Sequence, residues 1–270
     1  MPYLERPGGV KIHWEQQGSG PLVILAPYAN SYPSVYDPLE AELVSDHRVA
    51  RYDDRGTGAS DRTGPYDMET GAGDLEAVAE EAGGSAVVVT LADGAHRAAR
   101  VAARRPDLVD ALVLPGGSPA GRRRLEGTDA MVASDSVLDA FMSMGETDYR
   151  GALRTVVTAA NPQMTEDEIR QRVRLQVEYQ PREAVVPRWR EWAEDDATEE
   201  GRECGNRLWI LFSERMSGGW FPAGDEARRI SRRLFPEAHV EEVDDGMISR
   251  PDQFASIVRR ITSKARAATT

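Results

Sequence analysis

The chain has 270 residues with 40% hydrophobic content, enough to bury a substantial core as one domain with an insertion or as two subdomains. Its 33 Lys and Arg stand against 45 Asp and Glu, and the net charge of −12 repels phosphate backbones and anionic lipid, so no nucleic-acid or membrane partner is expected. No run of 18 apolar residues is present and MPYLERPGGVKIHW lacks the features of an export signal, so neither a spanning helix nor secretion is expected. The single cysteine, Cys204, has no internal partner, and a reduced cytoplasmic protein is the simplest expectation. All cations but Lys11 and Lys264 are arginine, a bias that fits a GC-rich genome such as an actinobacterium's and carries no chemistry.

In chain order, Val10 to Trp14 and Leu22 to Leu25 read as strands around the turn-rich Gln17-Gly18-Ser19-Gly20-Pro21. Tyr36 to Leu43 reads as a helix and His47 to Tyr52 as a strand. Asp74 to Ala82 carries Leu75, Val78, Ala79 and Ala82 at helical spacing. Strand Ala86 to Thr90, helix Gly94 to Ala103 and strand Leu108 to Leu114 complete a βα alternation, which predicts an α/β fold with a mostly parallel sheet. From Ser118 to Asn206 strand signals stop. Val137 to Met144, Tyr149 to Ala159, Thr165 to Tyr179 and Ala184 to Ala193 read as helices, the third with a capped, acidic start. Strands return at Leu208 to Phe212 and His239 to Val243, and a last helix starts at Pro251, a residue suited to a first helical turn. The expected division is a core of residues 1–117 and 206–270 interrupted by a helical cap, 118–205.

Four stretches carry a resemblance to the α/β-hydrolase superfamily. They are the opening strands from Val10 to Val23, the loop Tyr52-Asp53-Asp54-Arg55-Gly56-Thr57-Gly58-Ala59-Ser60 (D-x-R-G-x-G-x-S), the segment from Gly94 through Pro106 to Leu114, and the helical insertion at the place of that family's cap. The resemblance implies a nucleophile on a sharp strand-to-helix elbow, an acid and a histidine. Counting back from Pro106 puts the nucleophile position on Ala92 in Thr90-Leu91-Ala92-Asp93-Gly94. The acid position falls on Met216 and the histidine position on Met247, after Gly246. A methyl group cannot attack, a thioether cannot take a proton at neutral pH, and neither orients an imidazole. The oxyanion strand end reads Ala26-Pro27, and Pro27 has no N–H, which leaves the amides of Tyr28 and Asp93 as the expected donors.

Asp93 has three open readings: an N-cap of a helix beginning at Gly94, a carboxylate facing the pocket, or an aspartate nucleophile if the elbow register slips by one. None of His13, His47, His96 or His239 matches a general-base position, and no metal or nucleotide motif appears, so no cofactor is expected. Trp189 and Trp192, with Phe141, Met142 and Met144, either build the cap's own core or line a cleft beneath it. Trp220 and Phe221 are expected near the same mouth. The run Glu194-Asp195-Asp196 with Glu199-Glu200 reads as a solvated face. The candidate ligand-contacting set is therefore Pro27, Tyr28, Ala92, Asp93, Met216, Trp220, Met247, Trp189 and Trp192.

An apolar floor under a lid is expected to bind a modified peptide or other small molecule and to exclude water. The favoured expectation is a non-hydrolytic enzyme whose substrate brings its own base, epimerising an acidified Cα such as an aspartyl centre beside a thiazole-like ring. In this the chain is similar in kind to the triadless α/β-hydrolase-like proteins of peptide-antibiotic pathways, such as the bottromycin epimerase. The alternative is a former hydrolase that binds a hydrophobic metabolite or peptide without turnover.

Overall fold

The computed structural model describes residues 2–125, 139–161, 163–213 and 224–269. Eight strands form one sheet: β1 (Tyr3–Arg6), β2 (Val10–Gly18), β3 (Leu22–Leu25), β4 (Arg48–Tyr52), β5 (Ala86–Val89), β6 (Val109–Pro115), β7 (Leu208–Phe212) and β8 (His239–Glu242). Their order is β1-β2-β4-β3-β5-β6-β7-β8. The pairs β1–β2 and β2–β4 are antiparallel, and every pair from β4 to β8 is parallel. The central strands LVIL, AVVV and LWILF are buried along their whole length, as expected where helices cover both faces.

Side chains alternate across the sheet. Leu22, Ile24 and Val88 face a cluster built with α2 (Met68–Glu81), α3 (Ala92–Arg104) and α8 (Gly224–Leu234). Val23, Leu25, Val87 and Val89 face a second cluster built with α1 (Asp37–Leu43) and α9 (Pro251–Thr269). The α/β core expected from the alternation of strands and helices is thus present.

Three elements differ from the sequence reading. β1 was not expected. α2 begins at Met68, where Asp67 accepts from the Thr70 amide (2.6 Å) as a cap; Gly71 and Gly73 inside it masked the helical signal. Gly71 is needed because an added Cβ would sit 2.7 Å from the Arg97 side chain. The acidic run conceals α7 (Thr198–Glu203).

In the insertion, residues 139–147 are helical, followed by α4 (Tyr149–Ala160), α5 (Glu166–Tyr179) and α6 (Arg182–Glu194). Residues 137–138 of the first expected helix lie outside the described residues. Thr165 and Glu168 form a reciprocal capping box at the start of α5. Phe141, Tyr149, Leu153, Val173, Val186 and Trp189 make a third cluster, the cap's own core, which also takes in Ala29. Both ends of the insertion, Ala120 and Ala197 to Cys204, pack into the main core. There Cys204 is buried, and burial pushes its thiol up to about 11, out of the reactive range. No helix among the described residues is long and apolar enough to cross a membrane.

Glu194, Asp196 and Glu199 of the acidic run are exposed, as expected of a solvated face, while Asp195 is turned into a seam with α3. Asp195 accepts from His96 Nδ1 (2.7 Å) and from both terminal nitrogens of Arg100 (2.9 and 2.6 Å) on α3. Asp196 accepts from the Gly121 amide (3.0 Å), the Thr198 amide (3.0 Å) and Arg124 (2.8 Å). Burial alone would raise the Asp195 pKa; His96 and Arg100 more than offset it and hold it at about 2. A carboxylate held low in the folded state stabilises fully above its unfolded value and loses that contribution as pH falls through the folded value. The melting temperature of the wild type is therefore expected to drop as pH goes from about 4 to about 2 more steeply than that of Asp195→Asn, measured by differential scanning calorimetry.

Candidate functional site

The site is built from the turn that joins β5 to α3. Ala92 has φ +47°, a left-handed conformation that costs a residue with a Cβ about 1–2 kcal/mol. Three neighbours hold it there. A Cβ on Gly94 would lie 2.1 Å from Thr90 Oγ1 and 2.9 Å from the Pro27 carbonyl, so only glycine lets α3 approach the β3 exit loop this closely. Gly117, after β6, packs against the Ala92 amide. The apex of the elbow is thus Ala92, half-exposed, with a methyl group where this geometry presents a side chain.

Asp93, the next residue, does not cap the helix. α3 starts at Ala92 with Leu91 as its N-cap, and the Asp93 carboxylate points at groups other than the first-turn amides. One oxygen accepts from the Ala29 amide (2.6 Å) and the other faces Arg97 (3.0 Å). Asp93 is fully buried, so it is neither a pocket carboxylate nor an accessible nucleophile, and the left-handed apex on Ala92 places the register one residue earlier. Arg97 also donates to the Pro27 carbonyl (2.9 Å) and to Asp54 (2.6 Å). Arg188 on α6 takes the other Asp54 oxygen (2.7 Å) and the Arg55 carbonyl (3.0 Å). Burial alone would raise the Asp54 pKa, and the two guanidiniums hold it below its ordinary value instead. Two aspartates and two arginines balance in charge, the condition under which ions persist without water. Arg55 continues the chain to Asp74 (3.0 and 2.9 Å), which also meets Arg6.

The loop from Ala26 to Tyr36 forms the second wall. The Tyr28 and Asp93 amides have no acceptor among the described residues. Gln180, at the C-terminal end of α5, donates to the Tyr28 carbonyl (2.9 Å) and Ser31 Oγ (2.8 Å) and accepts from the Asn30 amide (2.9 Å). One turn back, Gln176 donates to the Asn30 carbonyl (2.5 Å). One turn further, the Arg172 guanidinium lies 3.7 Å from the centre of the Tyr32 ring. Burial, then the neighbouring Tyr32, pushes the Tyr28 phenol well above its ordinary pKa, so it stays a donor.

The other expected site residues distribute as follows. Pro27 offers its carbonyl to Arg97 and lines a half-open hollow of about 40 Å³ with His13, Tyr36, Asp53 and Tyr179, room for water; Ala92 does not line it. Trp189 is 1% exposed in the cap core, against Phe141 and Tyr149, and does not face a cleft; its apolar surface is consumed by the cap's own helices. Trp192 packs edge-on against His96 (6.5 Å). Met247 is buried with Tyr36 and Phe254 in the cluster under α9. Met216, Trp220 and Phe221 lie outside the described residues. Each histidine has a structural partner: His13 meets Asp53 (3.0 Å), His47 meets Asp46 and Thr262 (3.0 Å each), His96 meets Asp195, and His239 stacks on Trp209 (3.9 Å). Among the described residues no group of three or more His, Cys, Asp or Glu is placed to hold a metal.

The sequence reading missed Arg97, Asp54, Arg188, Gln176, Gln180 and Arg172. Two signals were present: Asp93 and Arg97 are spaced i,i+4, and Arg172, Gln176 and Gln180 put one polar group per turn along a helix whose Ile169 and Val173 are buried. Removing one member of a buried ion group leaves its partner uncompensated. Arg97→Gln is therefore expected to cost about 3–5 kcal/mol by urea denaturation. Ala92→Gly relieves the left-handed strain and is expected to raise stability by about 0.5–1 kcal/mol, the strain relief less the extra unfolded-state entropy.

No family model matches the chain. It is 29% identical over 177 residues to 2-(acetamidomethylene)succinate hydrolase from Mesorhizobium japonicum, an overlap of 64% of this chain and 60% of that protein, so it spans less than two thirds of that relative. An esterase from Exiguobacterium antarcticum superposes with a TM-score of 0.80 at 16% identity, covering 97% of this chain and 98% of the esterase. The structure of E-2-(acetamidomethylene)succinate hydrolase gives 0.68 at 21% identity over 97% and 98%. With the strand order, the elbow and the cap already described, these likenesses show the α/β-hydrolase fold, and a hydrolase is among the sequence relatives.

Proposed function

We propose that this protein uses the hydrolase scaffold without a nucleophile: it holds a modified peptide or similar small molecule and lets that ligand supply its own base for proton transfer at an acidified carbon. The observation that carries the reading is the elbow itself, a strained apex kept in its left-handed conformation with only a methyl group on it. Hydrolysis of the kind named for the Mesorhizobium relative needs an attacking group and a base. Ala92 supplies none, Asp93 is sealed by Ala29 and Arg97, and the segment from Val243 to Arg250 before the last helix contains no histidine.

The retained parts suit a different reaction. When a Cα–H beside a carbonyl or an electron-poor ring is broken, the electron pair moves onto an oxygen or nitrogen that becomes anionic. The Tyr28 and Asp93 amides, free of acceptors, are the groups to meet it, and one such donor is worth about 10²–10³ in rate. The proton goes to a carboxylate of the ligand, where it exchanges with solvent, and a proton is delivered to the opposite face, so atoms balance with no cofactor, and the product is the epimer. Binding without turnover is the second reading, favoured by the full internal pairing of the acid and imidazole groups near the elbow.

Two assays separate the readings. With p-nitrophenyl acetate, wild type and Ala92→Ser are both expected to stay at the buffer rate, because a restored hydroxyl still lacks its base; multiple turnovers abolished by Asp93→Asn would overturn the proposal. In D₂O, mass spectrometry of thiazole-bearing aspartyl peptides is expected to show uptake of one deuterium at Cα. Binding seen by thermal shift with no exchange would leave only the ligand-holding role.

A further inference from the structure

The inner face of α5 carries a cation that the elbow reading does not use. Arg170 and Arg174 on the same helix turn outward to Glu166, Asp167 and Glu178. Arg172 turns inward, is half-buried, and has no carboxylate within 4 Å among the described residues. In a chain of net charge −12 with carboxylates at most of its guanidiniums, that is a distinctive environment. Its guanidinium carbon lies over the Tyr32 ring, 3.7 Å from the ring centre. Stacking of this kind fixes the plane of the guanidinium and leaves its N–H edge open. Beside it stand two phenols. Burial raises the pKa of both Tyr28 and Tyr32, so both remain hydrogen-bond donors across the working pH range.

Two further contacts hold this arrangement still. Gln176 and Gln180, each one turn apart from the next along α5, bind the backbone of residues 28–31, so helix and loop form one unit with Arg172 over Tyr32. Tyr28 packs edge-on against Tyr36, ring centres 6.1 Å apart, in the loop that Gln180 holds.

Building on the reading of a ligand-holding cleft, we propose that Arg172, with the hydroxyls of Tyr32 and Tyr28, is the anchor for a carboxylate carried by the ligand. A planar guanidinium fork matches the two oxygens of a carboxylate in a bidentate pair, and two neighbouring O–H donors can meet the remaining lone pairs. The fork can pair with phosphate as well, but a single guanidinium with no second cation beside it among the described residues balances the one negative charge of a carboxylate rather than the nearly two of phosphate. The ligand class is thus a small or peptidic carboxylic acid, with the acid group bound at the cap side and the rest directed to Ala92.

The test is isothermal titration in carboxylate-free buffer with succinate, malonate, benzoate, benzamide and inorganic phosphate as probes. Carboxylates are expected to bind, with benzoate ahead of benzamide. Arg172→Gln is expected to lose about tenfold or more in affinity. Arg172→Lys, which keeps the charge and loses the fork, is expected to fall between, and Tyr32→Phe to weaken binding by a few-fold. The melting temperatures of the free variants check that each is folded. Equal carboxylate affinity in wild type and Arg172→Gln, equal binding of benzamide and benzoate, or tighter binding of phosphate than of any carboxylate would overturn the anchor. Its failure is distinct from failure of the non-hydrolytic reading, since ester turnover is measured separately and needs no carboxylate.

Discussion

The structure depends on one arrangement of buried charge. Asp93, Arg97, Asp54 and Arg188 join four parts of the chain that are far apart in sequence: the elbow, the β3 exit loop, the D-x-R-G-x-G-x-S loop and the cap. Ions out of water are tolerated only when each is paired and hydrogen-bonded, so these four residues must all be in place together. Their geometry sets where Ala29 and Pro27 lie, and through them the path of the loop that carries Tyr28 and Tyr32. The same arrangement explains why Asp93, the most tempting acid in the elbow, is out of reach: one oxygen is held by the Ala29 amide, the other faces Arg97, and the side chain is fully buried.

Around that centre the elbow is preserved with close tolerances. Gly94 must lack a side chain, and Ala92 must accept an uncommon backbone conformation. A turn under no constraint would relax to an ordinary helix start, because a left-handed alanine is disfavoured. It does not relax, since the packing of β5, α3 and the β3 exit loop over-determines it. The turn therefore holds its shape with only a methyl group at its apex.

The sheet and its helices were legible in the sequence because apolar runs such as Leu22–Leu25, Ala86–Val89 and Leu208–Phe212 have the length and β-branching of buried strands. The apex at Ala92 was legible too, from its distance to Pro106. What escaped were features set by partners distant in sequence. The start of α2 hid behind Gly71, whose presence answers to Arg97. Asp195 looked solvated with the rest of its acidic run until His96 and Arg100, nearly a hundred residues earlier, were seen to meet it. Asp93 looked like a cap because its local partner was imaginable and its real one, the Ala29 amide, is 64 positions away. Local rules read periodicity well; they do not see which buried charge will find which.

The grip of Gln180 on the Tyr28 carbonyl, the Asn30 amide and Ser31 has a consequence for selection. Because α5 is a rigid rod, that grip fixes the span between the guanidinium two turns back and the backbone of the β3 exit loop. On the proposed reading such a frame would act as a gauge, accepting molecules by the separation of their two polar ends and tolerating what lies between them. Chemically unlike compounds of matching reach would then compete, while close analogues shortened by a single methylene would be turned away.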